Sequence, residues 1–268
     1  MTASDHTAPA GAVGALGDAD GQVVFEARGL SKRYGPVEAC RDVSLQVARG
    51  ELLAIVGDNG AGKSTVAKIL TGALKPDSGE LFLFGKPVSF TDPLEARLAG
   101  VEAVYQELAL APNLDVVENL FLGREMVRPA FHLPFLRRLA DREMTELARR
   151  QLRDLQIRIP RLRGVPVGRM SGGQRQTIAI ARAIFWASQV LVMDEPTAAL
   201  GVKEAGAVLG LVREAVARGI AVVMISHVMS HVVDLADHVV VMRHGVKVDD
   251  LRRGEFDTER LVRSIVGA

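Results

Sequence analysis

The run Glu51-Leu52-Leu53-Ala54-Ile55-Val56 passes without a break into Gly57-Asp58-Asn59-Gly60-Ala61-Gly62-Lys63-Ser64-Thr65. No other feature restricts the fold as tightly. A short apolar strand, a glycine-rich turn closing on Lys-Ser, and a helical stretch to about Leu70 form the strand–loop–helix of a phosphate-binding loop. Glycine opens backbone torsions that other residues avoid, so successive N–H groups can turn inward as a nest for anionic oxygens. The following helix adds the positive end of its dipole. In such a loop Lys63 reaches the β- and γ-phosphates, and the Ser64 hydroxyl ligates Mg²⁺. The loop implies a nucleoside triphosphate and leaves the reaction open.

A second apolar strand, Val190-Leu191-Val192-Met193, ends in Asp194-Glu195. In parallel sheets ligands bind at the C-terminal edge of the strands, and both carboxylates fall there. Asp194 is placed to hold Mg²⁺ through water, and Glu195 to polarise an attacking water. A third element, Ser171-Gly172-Gly173-Gln174, opens a helix. Ser171 suits an N-cap, and a capped glycine-rich helix start is a second anion site.

The surrounding chain reads as α/β. Val23–Ala27 and Val43–Val47 look like strands of an antiparallel edge sheet. After the turn Lys75-Pro76-Asp77-Ser78-Gly79, Glu80–Phe84 and Val101–Tyr105 look like further strands. From about Leu108 to Pro160 the composition turns charged and helix-forming. Leu139, Met144, Leu147, Leu152 and Leu155 recur at a helical period over Arg137–Leu155, and Pro129 and Pro134 interrupt what precedes. This predicts a helical subdomain at about 108–172. From Ser171 the pattern alternates again: helix to Trp186, strand at Val190–Met193, helix at Lys203–Ala217, strands at Ile220–Ile225 and Val239–Met242. The expected fold is a mostly parallel sheet with helices on both faces, an antiparallel β edge subdomain and a helical insertion. With no internal repeat, residues 22–268 form one nucleotide-binding domain.

Composition narrows the setting. A formal net charge of +1 over 268 residues argues against a strongly basic nucleic-acid binder, so no nucleic-acid partner is expected. The single Cys40 excludes an internal disulfide. The apolar stretches are too short to span a membrane. Residues 1–21, rich in Ala and Gly, lack the basic start and apolar run of a signal peptide and are expected to be a disordered tail.

A phosphate loop and a Met170-Ser171-Gly172-Gly173-Gln174 turn in one chain resemble the ATP-binding cassette ATPases, with Met where Leu is commoner. The resemblance implies a P-loop NTPase core that binds ATP and Mg²⁺ and hydrolyses ATP. It implies two subunits facing head to tail, each ATP lying between one copy's Gly57–Thr65 loop and the other's Ser171–Gln174 turn. By the same resemblance Tyr34 stacks on adenine, a contact worth about 1–3 kcal/mol by analogy with base stacking. Gln106 senses Mg²⁺ and links the core to the helical subdomain. His227, after the strand Val223–Ser226, contacts the γ-phosphate and acts catalytically with Glu195. Many cassettes carry an Asp that helps communicate across the dimer where this chain has Gly201.

Gly57–Glu80, Tyr105–Glu125 and Glu195–Glu204 are similar to the subgroup that powers uptake of monosaccharides such as ribose, xylose and fructose, Thr71–Gly79 and Asn119–Glu125 especially so. Many members carry two cassettes in one chain. This chain has one, and the resemblance then implies a homodimer on the cytoplasmic face of the membrane, beneath a separate permease fed by a solute-binding protein. The alternatives are a soluble cassette ATPase acting on DNA or the ribosome, or an importer ATPase for a solute other than sugar.

Overall fold

The protein is described from a computed structural model covering residues 21–130, 133–198 and 200–267. The expected N-terminal tail lies outside the described residues except for Gly21.

Two sheets and a set of helices build the domain. Strands β1 (Val23–Tyr34), β2 (Val37–Ala48), β4 (Ser78–Leu83) and β5 (Lys86–Val88) form an antiparallel sheet in the order β2-β1-β4-β5. Strands β3 (Leu52–Val56), β6 (Val101–Val104), β9 (Val190–Asp194), β10 (Ala221–Ile225), β11 (His238–Arg243) and β12 (Val246–Arg252) form the second, in the order β12-β11-β3-β10-β9-β6. Its pairs are parallel except β11–β12. Every residue of β3, β9 and β10 is buried. That explains their continuous Leu/Ile/Val runs, since parallel strands are covered on both faces.

The two-residue period of those strands divides the core. Leu53 and Ile55 of β3 face one apolar cluster, shared with Phe25 and Leu30 of β1 and with Val66 and Leu70 of helix α1 (Lys63–Leu70). Leu52, Ala54 and Val56 face the other. It is filled by helices α5 (Gly172–Trp186), α6 (Val202–Ala217), α7 (Met229–Leu235) and α8 (Thr258–Val266), and by α3 (Val116–Phe121) and α4 (Asp141–Asp154) of the middle segment. The helix α1 is thereby pinned beneath the antiparallel sheet, and α5 lies on the opposite face.

The middle segment departs from the sequence reading. A two-stranded antiparallel ribbon, β7 (Val127–Ala130) with β8 (Leu133–Leu139), stands where helix-forming character was expected, and α4 begins at Asp141 and not at Arg137. Pro129 and Pro134 have no N–H for a helical ladder. Leu139, which matched the helical period, pairs with Val127 instead, and Ala140 donates its N–H to the Met126 carbonyl at 2.8 Å just before α4 starts. Several short elements also carried no periodic signal. Helix α2 (Pro93–Leu98) is set by an Asp92 cap, and α8 by an Asp257 cap. The charged composition of β12 hid a strand that pairs along β11.

Phe121 joins the middle segment to the core. It is fully buried and meets Phe185 and Trp186 edge-on, with ring centroids 5.4 and 5.8 Å away. Phe121→Ala is expected to cost about 3–5 kcal/mol by leaving a cavity between α3 and α5. A urea midpoint within a few per cent of the parental value would contradict this packing role.

Candidate functional site

Three parallel strands deliver the site to one edge of the sheet. Ile225 of β10 pairs with Ile55 of β3 on one side and with Asp194 of β9 on the other. The three strands therefore end level, and their following residues emerge together: the Gly57–Gly62 loop, Asp194-Glu195, and Ser226-His227.

The loop needs its glycines because of what surrounds it. Gly57 has φ +149°, and a Cβ there would lie 2.1 Å from the Met242 carbonyl oxygen. Gly62 has φ +96°, and its Cβ would lie 2.1 Å from the Ala39 carbonyl oxygen. The loop is thus wedged between β11 and β2. Gly60 is also left-handed at φ +81° but faces open space. Asp58, Asn59 and Gly60 are exposed, Ala61 is buried, and Ser64 is exposed at the start of α1 beside half-buried Thr65. Ala61 donates to the Asp58 carbonyl, and its own carbonyl accepts from Gly245, which closes the turn.

Lys63 is only 6% exposed, and its ammonium donates to the Gly57 and Asp58 carbonyls, each at 2.8 Å. Burial lowers its pKa from the ordinary lysine value, while Glu195, Asp194 and Asp58 oppose that shift. Burial in turn raises the Asp194 carboxyl, with Glu195 adding to the rise and the neighbouring Ser64 hydroxyl drawing it back. The Ser64 hydroxyl and the Asp194 carboxylate are thus neighbours.

Glu195 occupies a left-handed backbone conformation, φ +53°, its N–H donating to the Ile225 carbonyl at 3.1 Å. Its carboxylate lies 3.2 Å from Nδ1 of His227, a half-exposed ring held on the turn where Ser226 Oγ accepts from Val228 N–H. Lys63, Ser64, Asp194, Glu195 and His227 therefore form one cluster at the mouth of the loop.

Other predicted residues stand apart. Tyr34 ends β1 with half its surface exposed, as a ring available for stacking must be. Gln106 is exposed in the bend after β6 and lines a cleft with Gly172, Gln176, Ala198 and Leu200. Ser171 caps α5 through a complete capping box: its hydroxyl accepts from Gln174 N–H, and the Gln174 side chain accepts from Ser171 N–H. Ser171, Gly172 and Gln174 are exposed, Gly173 less so, and among the described residues no hydrogen bond joins this turn to the phosphate-type loop of the same chain.

Sequence reasoning missed three links. The Tyr105 hydroxyl lies 2.7 Å from Thr71 Oγ1, tying the exit of β6, next to Gln106, to the C-terminal end of α1. The buried Gln176 amide donates to the Pro196 carbonyl at 2.8 Å. Glu204 of α6 fills the space beside Gly173 and Gly201, where a Cβ would come within 2.5 and 2.6 Å of its side chain. Their partners are 20 to 34 residues apart for the first two, and no local spacing betrays them.

Two site predictions follow from the geometry. Lys63→Ala is expected to lower ATP turnover more than about a hundredfold, as loss of a charge-stabilising donor does; unchanged turnover in purified protein would contradict the cluster. Gly62→Ala meets both a clash and a left-handed torsion. It should cost more than about 1 kcal/mol in chemical denaturation and disable nucleotide binding together, and a neutral result would contradict the wedged loop.

The ABC transporter family model matches residues 40–198. The fructose import ATP-binding protein FrcA of Rhizobium meliloti is 44% identical over 91% of this chain and 94% of its own length. The xylose/arabinose import ATP-binding protein XylG of Sulfolobus acidocaldarius is 40% identical over 89% and 92%. The ribose import ATP-binding protein RbsA 2 of Burkholderia pseudomallei is 42% identical, but this chain spans only 46% of it. Among solved structures, an ATP-binding cassette of an ABC transporter in its ADP conformation superposes with a TM-score of 0.74 at 27% identity, covering 91% of this chain and 95% of that one. A nucleotide-free cassette gives 0.75 at 27%, covering 92% and 96%. With this fold and these relatives, the chain belongs to the ABC transporter family as an ATP-binding cassette ATPase.

Proposed function

We propose that this chain hydrolyses ATP as one of two identical cassettes and thereby drives import of a monosaccharide through a separate membrane permease. One observation carries the dimer: a single chain presents two anion-binding elements that do not meet. The Lys63 loop is at the sheet edge, while the Ser171 turn opens α5 at an exposed surface and shares no hydrogen bond with that loop among the described residues. A second copy, placed head to tail, brings the missing turn to each loop. The sugar class rests on the relatives, whose names give fructose, xylose/arabinose and ribose import. No described helix is long and apolar enough to cross a membrane, in keeping with a peripheral subunit at the cytoplasmic face. The solute-binding protein is an indirect partner.

In this reading Tyr34 stacks on adenine, and Gly57–Thr65 with Lys63 enclose the phosphates. Mg²⁺ fits the donors present. Ser64 offers a hydroxyl and Asp194 a carboxylate, and Mg²⁺ keeps several waters and takes phosphate oxygens without a full protein cage. When bound it neutralises phosphate charge. Gln106, in the bend that leads from β6 to the middle segment, reports on that ion. Phosphoryl transfer to water demands an oriented nucleophile more than covalent chemistry. Glu195 accepts a hydrogen bond from that water, and the neighbouring His227 fixes the carboxylate and reaches the γ-phosphate.

Permease docking fits the surface around α2 and the end of α3, where Leu98 and Leu122 are exposed beside Arg97 and Arg124, both paired with buried Glu102. Glu118 is a poor probe of that surface despite its exposure, because its carboxylate completes the α3 capping box with Asp115.

Glu195→Gln keeps shape but loses charge, so ATP should persist and hold the dimer by linkage. The variant should elute from size exclusion as an ATP-dependent dimer, and adding Ser171→Arg should return the monomer. A Glu195→Gln protein that turns over ATP at the parental rate would overturn the assignment of Glu195. Leu98→Glu with Leu122→Glu should abolish sugar uptake in reconstituted vesicles while sparing basal ATPase activity; loss of both together would place these residues in the fold and not in docking.

A further inference from the structure

The loop that carries Glu195 is held to helix α5 by a hydrogen bond at its near end. At the near end, Gln176 is 8% exposed and its side-chain amide donates to the Pro196 carbonyl at 2.8 Å. Proline has no N–H, so that carbonyl is the only backbone hydrogen-bonding group residue 196 offers. It directly follows Glu195, whose left-handed φ of +53° persists only if its surroundings hold it. The Ile225 carbonyl holds the peptide before Glu195, the Ala198 N–H donates to the Glu195 carbonyl in the peptide after it, and Gln176 holds the next peptide, Pro196–Thr197. At the far end, the exposed Glu204 side chain lies beside both Gly173 and Gly201. Gln176 lies two residues beyond Gln174 on the same helix start. The first turns of α5 thus run from the Ser171 turn to the Pro196–Thr197 peptide, one peptide beyond Glu195.

We propose that Gln176 is a positioning residue that couples the Ser171 turn to Glu195 within each chain. In the head-to-tail dimer the Ser171 turn touches the ATP of the partner, whereas Glu195 serves the ATP on its own loop. The Gln176–Pro196 bond thus links the two ATP sites: phosphate held at the turn of one copy sets the carboxylate that activates water in that same copy. This rests on the dimer and on the role of Glu195 proposed above. It assigns the link between the sites to one buried hydrogen bond.

Gln176→Met keeps the volume and removes the donor, and Gln176→Glu keeps the length and replaces the donor with an acceptor. Both should lower kcat about tenfold, the loss expected for one net hydrogen bond acting in the transition state. KM for ATP and equilibrium ATP affinity should stay within about twofold, because Gln176 touches neither the loop nor the nucleotide. The Hill coefficient for ATP hydrolysis should fall toward one. Melting temperatures measured alongside separate this from unfolding, since a packing defect would lower kcat, affinity and stability together. Parental kcat and cooperativity in both variants, or a parallel loss of affinity and stability, would overturn the proposal. Glu195→Gln is assayed beside them. If it is inactive while Gln176→Met is fully active, the coupling alone fails; if it retains parental turnover, the role of Glu195 fails first and the coupling with it.

Discussion

The rung that pairs Ile55, Ile225 and Asp194 across three parallel strands sets the rest of the structure. Because these strands end level, a glycine-rich loop, a pair of carboxylates and a histidine turn reach solvent at one edge. A slip of one residue in β9 would exchange its buried faces and carry Asp194 and Glu195 away from Lys63. The register is protected by burial on both faces, with Leu53 and Ile55 packed under the antiparallel sheet and Leu52, Ala54 and Val56 under the helices. Catalytic geometry is thus a consequence of core packing.

The electrostatics of the cluster follow from the same burial. A buried ammonium faces two carboxylates, and desolvation weakens the charged form of both Lys63 and Asp194. Buried charges are tolerated when hydrogen-bonded, and here the Gly57 and Asp58 carbonyls supply those bonds to Lys63. A polyanionic phosphate offers the desolvated Lys63 ammonium oxygens in place of the Gly57 and Asp58 carbonyls that it now bonds.

Much of this was legible in the sequence wherever chemistry is local. The loop, the Asp194-Glu195 pair at a strand end, and the Ser171 capping box each lie within nine consecutive residues, and spacing alone reveals them. The parallel core was legible because strands buried on both faces read as unbroken apolar runs. The β7–β8 ribbon was not, since Leu139 fits a helical period by coincidence and the prolines that forbid a helix do not announce a hairpin. Strand β12 was hidden by its charges. Gln176, Thr71 and Glu204 were silent because each acts on a partner brought near only by the fold. Gly201 read as the loss of an acidic side chain, yet the Glu204 carboxylate occupies the space that a side chain there would take.

The central claim is that ATP is enclosed between the loop of one copy and the Ser171 turn of another. A cysteine pair reports this directly: Asn59→Cys on the loop and Gly172→Cys on the turn, both exposed positions, in a Glu195→Gln background. The native Cys40 is buried, and desolvation pushes its thiol up to about 11, so it stays unreactive at neutral pH. Under mild oxidation the account predicts an intermolecular disulfide that forms with ATP and Mg²⁺ and not without them. A disulfide yield independent of ATP, or a chain that binds ATP and never cross-links, would contradict it.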